Sequence, residues 1–230
     1  METSGYVDIF ATKGAEYILI FGFFIALVFF WRFLNRSRRS THSSAPPVGD
    51  SSALQFEMEQ GYFYHQGHSW ALPEQQNVVR VGIDDFAQRL IGLASIVELP
   101  KVGASLEQGG KGWILGVDSK TTDIISPVSG EVIAVNDEAL RNPRILNQDP
   151  YGRGWLIKVR VPSVSNNIRN LLSGELAAAW MKNAAAALCL KMADDPQLLT
   201  RGNGSAATGN AEDLSQNRWK EIAREFFLSR

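Results

Sequence analysis

The chain has 230 residues, with 23 Lys and Arg against 24 Asp and Glu and a net charge of −1, so it lacks the strong positive field that nucleic-acid binding demands. That length holds one medium domain plus appendages. A single cysteine, Cys189, excludes an intrachain disulfide framework and a multi-cysteine zinc site, and its alanine-rich surroundings predict a thiol packed as core.

From the N-terminus, residues 1–16 read as a short extracytoplasmic segment. Residues 17–34 predict a transmembrane helix, because Tyr17 to Trp31 carries no charge and the run reaches roughly 18 residues, enough to cross a bilayer core. Tyr17 and Trp31 sit where aromatic side chains favour the interface. Glu2, Asp8, Lys13 and Glu16 precede the run, whereas Arg32, Arg36, Arg38 and Arg39 follow it, the reverse of a cleaved signal peptide. The same asymmetry predicts a single-pass protein of the cytoplasmic membrane, N-terminus outside and main domain in the cytoplasm. Residues 35–55, rich in Ser, Pro, Gly and Thr, read as a flexible linker.

Residues 56–193 predict the folded domain. Short apolar runs at 78–82, 95–99, 112–115, 123–126, 130–135 and 155–159, separated by turn residues, describe a mainly β sandwich or barrel. One short helix, capped by Asp84, is expected at 84–90. Beyond Pro162, Ile168, Leu171 and Leu172 predict a short helix, and Leu176, Ala177, Trp180, Ala184, Ala187 and Leu188 stripe a longer one over 175–193. Residues 194–212 read as a second linker. In 213–230, Trp219, Ile222, Ala223 and Phe226 recur at helical spacing on an amphipathic terminal helix opened by Asp213. Such a stripe either folds back on its own domain or docks into a partner's groove, and Trp219, Ile222 and Phe226 are the candidate docking residues.

Several blocks taken together resemble one family. Gly67, His68 and Trp70, the run Val81 to Gln88, Ile91 with Gly92, and Val97 to Pro100 occur in the order seen in the glycine cleavage H protein. So do Ser126 to Val132, Val135 with Asn136, and Asp149 to Lys158. The resemblance implies a barrel-sandwich hybrid, the lipoyl-carrier fold, with C-terminal helices and no catalytic residues of its own.

It also implies where a lipoyl group would be attached. In the family this is a lysine at a β-hairpin tip, in the pattern Glu-Ser-Val-Lys-Ala. Counting back from Asp123 and Ser126, that lysine falls on Ser119, while Lys120 stands one place late, and Val117 stands three residues before Lys120 where the pattern carries glutamate. A one-residue slip turns a strand side chain to the opposite face. The expectation is therefore a non-catalytic, membrane-tethered module without lipoate, a docking subunit for protein partners in a membrane-associated complex. The alternative is a lipoyl carrier shuttling an intermediate between enzymes, with lipoate on Lys120. A biotin site is not expected, since the usual Met-Lys-Met is absent. No metal site is expected, since His65 and His68 lack a third ligand nearby.

Overall fold

The computed structural model describes residues 23–27, 55–75, 77–193, 211 and 214–228. Alternation builds its sheets. In β3 (Val78–Ile83), Val79, Val81 and Ile83 are fully buried, as the two-residue period of a half-buried strand requires. β3 pairs antiparallel with β2 (Ser69–Pro73) on one side and β9 (Ile157–Arg160) on the other. With β1 (Phe63–Tyr64), β8 (Gly130–Val135) and β5 (Ser105–Leu106) they form a six-stranded sheet in the order β1-β2-β3-β9-β8-β5. A second sheet joins β4 (Ile96–Glu98), β6 (Lys111–Val117) and β7 (Lys120–Ile125) in the order β4-β6-β7.

One hydrophobic core draws on both sheets, with Val79, Val81 and Val159 from the first and Trp113, Leu115 and Ile124 from the second. The predicted mainly β sandwich is therefore present. The short β1, β2 and β5 were not anticipated. Helix α1 (Asp85–Ile91) stands where expected, with the Asp84 side chain accepting from the Ala87 amide at 2.8 Å. Two small helices, α2 (Asp137–Arg141) and α3 (Ile145–Gln148), occupy a stretch given no element in the sequence reading.

At the C-terminal end lie α4 (Val164–Ile168), α5 (Gly174–Ala193) and α6 (Gln216–Phe226). The buried face of α5 is Ala177, Met181, Ala184, Ala185 and Leu188, so the expected stripe is shifted, and Leu176 is 73% exposed. In a helix this rich in alanine, small residues fit on every side and weakly mark the inner face. Cys189 is half-buried rather than core, and burial pushes its thiol pKa up. Helix α6 is capped by Ser215, which accepts from the Arg218 amide, while Asp213 lies outside the described residues.

Met1–Gly49 and Asp50–Arg230 form separate compact units, so the β domain and the terminal helix belong to one unit. Among the described residues no helix is long and apolar enough to cross a membrane. The expected span at 17–34 lies outside the described residues except for 23–27, which are helical with Phe23, Phe24, Ile25 and Leu27 exposed. The predicted linkers at 35–55 and 194–212 also lie outside them, apart from Gln55 and Ala211.

Candidate functional site

The β6–β7 hairpin carries the lysine singled out above. Its turn is Asp118–Ser119, flanked by the pair Val117↔Lys120. Asp118 adopts a left-handed conformation with φ of 52°, which Asp tolerates better than most residues, and its amide donates to Ser95 Oγ at 3.0 Å. The arms approach closely: a Cβ on Gly116 would press on the Lys120 carbonyl oxygen and stand 2.8 Å from Thr121 Cα.

Directly paired residues put their side chains on the same face of a sheet. Lys120 therefore shares the face of Val117, and the alternation continues through buried Thr122 and Ile124. Ser119 is exposed in the turn and Lys120 is half-buried. The one-residue displacement read in the sequence thus has a geometric counterpart: the lysine rises on the inward face of its hairpin.

There it meets the C-terminal segment. Lys120 Nζ donates to the Ala211 carbonyl at 2.7 Å, and the Ala211 amide donates to the Leu90 carbonyl at 2.8 Å. Two further bonds tie α6 to the hairpin: Gln216 Nε2 donates to the Ser119 carbonyl at 3.3 Å, and Trp219 Nε1 to the Thr121 carbonyl at 3.2 Å. Trp219 and Ile222 are fully buried and Phe226 is nearly so, all within the domain's own core. Of the two outcomes left open for the stripe, folding back or docking, Trp219, Ile222 and Phe226 take the first here and face inward. The physical reason is that the domain presents an apolar seat beside β7, so burial is achieved without a second molecule. Lys191 links α5 to α6 through Glu221 at 3.2 Å and Glu225 at 2.7 Å.

The far end of this seat is a buried polar pair. His68 Nδ1 is bonded to Asp84 Oδ2 at 2.8 Å, with both side chains at or below 1% exposure. The imidazole stacks on Phe86 at 3.9 Å between centroids and also faces Trp180 at 4.7 Å. Phe226 in turn lies 5.1 Å from Phe86. His65, the other half of the considered metal pair, accepts from the Gly67 amide through Nδ1 at 3.0 Å. Both histidines thus spend Nδ1 within the fold, and no cluster of three metal-ligating side chains occurs among the described residues. Nearby, Asp85 takes Arg89 at 2.8 Å, and the Tyr151 hydroxyl donates to the Glu57 carbonyl at 2.7 Å. Burial pushes the Tyr151 pKa strongly upward, which keeps this donor protonated.

The His65 pKa is lowered, first by desolvation and then by His68. A histidine with a depressed folded pKa stabilises the fold above its unfolded value, near 6.5, and loses that contribution as acid protonates it. Protonation also removes the acceptor used by Gly67. The melting temperature should therefore fall as pH drops from about 7 to about 5, and the fall should be smaller in His65→Gln, as measured by calorimetry across that range. An equal acid loss in both proteins would remove His65 as its cause.

Two sheets thus share one core, and a lysine stands in the first paired position after the turn of the β6–β7 hairpin. The glycine cleavage H-protein family matches residues 62–184. A probable glycine cleavage system H protein of Pyrococcus horikoshii is 33% identical over 128 residues, covering 56% of this chain and 95% of that protein. The glycine cleavage system H protein of Thermus thermophilus is 40% identical over 113 residues, covering 49% of this chain and 87% of that protein. A crystal structure of a glycine cleavage system H protein from Mycobacterium marinum is 28% identical, covers 55% of this chain and 98% of its own, and superposes with a TM-score of 0.47. The chain belongs to the glycine cleavage H-protein family. Family membership supports a lipoyl-carrier role, that of a carrier and not a catalyst.

Proposed function

We propose that this chain is a lipoyl carrier of the H-protein type, with Lys120 as the attachment residue. The observation that carries the reading is a lysine in the first paired position after the β6–β7 turn, inside the stretch matched by the family. The residue fits the group in its chemistry: Lys120 is a primary amine that can form the amide, and its bond to the Ala211 carbonyl is made by the same Nζ and has to be released for attachment. A bound lipoyl group would supply a reversible thiol–disulfide centre that carries an intermediate. The protein's own part is to hold the lysine on a braced hairpin and to present it to partner enzymes. The carrier is tethered through residues 17–34, supported by the uncharged run and the arginines that follow it.

A second reading, a docking module without lipoate, is favoured by one feature: exposed Ser119 occupies the outward turn position, while Lys120 rises on the inward face. A single experiment separates the two. Cells producing wild type or Lys120→Arg, together with a lipoate ligase, are fractionated; the membranes are washed in alkali, and the retained protein is weighed by mass spectrometry. The carrier reading expects a lipoyl increment in wild type and complete loss of it in Lys120→Arg, whose guanidinium cannot form the amide. Unmodified wild type supports the docking module, and recovery in the soluble fraction removes the tether.

A further inference from the structure

We propose that Ala211 and residues 214–228 form an intramolecular latch that closes over Lys120 and must lift before the lysine can be modified or presented. The proposal rests on the carrier reading for the purpose of the lysine, but the latch itself is a separate physical claim.

Three independent observations carry it. First, the tail binds the hairpin at its turn, with Lys120, Ser119 and Thr121 engaged by the Ala211 carbonyl, Gln216 and Trp219 respectively. Second, its hold is apolar as well as polar, since Trp219, Ile222, Phe226 and Phe227 are all buried in the domain core. Third, the family match ends at residue 184, so this cover lies outside the part of the chain shared with the family. The hairpin places Lys120 on the same face as Val117, and the tail covers that face. A group joined to Lys120 would emerge into the space now held by the tail, so cover and group compete for one place.

The contact is also built to open. Gln216 and Trp219 donate to backbone carbonyls of the hairpin, and the bond to the Ala211 carbonyl comes from the lysine itself. No strand pairing is broken if α6 lifts, because α6 is a helix outside both sheets. The chemistry of loading then needs little else. The neutral Lys120 amine attacks the carbonyl carbon of an activated lipoyl adenylate, the Nζ–C bond forms, the C–O bond to phosphate breaks, AMP departs and a proton passes to solvent.

The test uses the full chain and a pulse of N-hydroxysuccinimidyl acetate, with each lysine's acetylation rate read by peptide mass mapping. Exposed Lys101 serves as the internal standard, and Lys158, paired with Glu74, as a check that the sheets remain intact. The latch predicts that Lys120 reacts at least ten-fold more slowly than Lys101 in the wild type. In Trp219→Ala/Phe226→Ala the rate should approach that of Lys101, with Lys158 unchanged. Since removing two buried aromatics risks unfolding, Ala211→Pro provides a second route. It deletes the amide bond to Leu90 and unhooks the start of the tail while leaving the apolar seat intact, and it should raise the Lys120 rate in the same direction. Wild-type Lys120 already reacting like Lys101, or no acceleration in either folded variant, overturns the latch. A lipoate ligase with lipoate and ATP is then added to the opened variants. Fast acetylation without lipoylation leaves the latch standing and removes the carrier reading, whereas lipoylation that is faster in the variants than in the wild type supports both.

Discussion

Asp84→Ala should be among the most destabilising single changes in the β domain, at about 3 kcal/mol. The carboxylate holds two places at once: Oδ1 accepts from the Ala87 amide at the start of α1, and Oδ2 is bonded to His68 Nδ1. Loss of an N-cap typically costs about 1 kcal/mol. Leaving the His68 ring buried without its partner adds roughly 1–3 kcal/mol. For a chain of this size the sum corresponds to a melting temperature lower by on the order of 10 °C. Asp84→Asn keeps an acceptor for one of the two partners and should lose about half as much. Asp137→Ala, at an exposed first-turn position of α2, should lie within about 0.5 kcal/mol of wild type. A loss for Asp84→Ala no larger than that control would mean the pair does not anchor α1.

The second large effect concerns the tail. Truncating a fully buried tryptophan costs about 3–5 kcal/mol when the surroundings cannot collapse. Trp219 is fully buried, lies 6.2 Å from Phe227 and donates to Thr121. The observed loss in Trp219→Ala cannot exceed the free energy that holds the tail down, because beyond that point the tail leaves and the sheets persist. Hydrogen exchange should therefore show α6 amides losing protection first, with β3 and β9 protected to higher denaturant. Co-purifying proteins should be unchanged. Intact α6 protection together with lost partners would instead mean that the stripe faces outward to another molecule.

These two sites also show what a linear reading can and cannot reach. The Asp84 cap was legible because an acidic residue before an apolar helical run is a local signal, and β3 and β8 were legible from alternation. Helix α2 had a usable signal that was passed over: Asn136 accepts from two amides of the first turn, and Asp137 and Glu138 follow it, favourably placed for the helix dipole. β1 and β5 are two residues each, too short to show any period. The displacement of Lys120 was legible by counting, and strand parity then fixes its face. What covers that face was not. An apolar stripe on a helix is the same whether its seat lies on its own chain or on a partner, and Ala211 carries no side-chain signal for a contact made by its carbonyl. The pairing of His68 with Asp84 across 16 residues likewise follows from β2 and β3 meeting in space, since the two strands pair directly.

The central claim is that Lys120 carries the group for which the family is built, beneath a cover of the chain's own making. It is tested most directly by isolating the protein from the cells that make it and weighing the peptide spanning Lys111–Ile125. The account predicts one lipoyl increment, with fragment ions placing it on Lys120. The unmodified peptide mass, or a modification at any other residue, would contradict it.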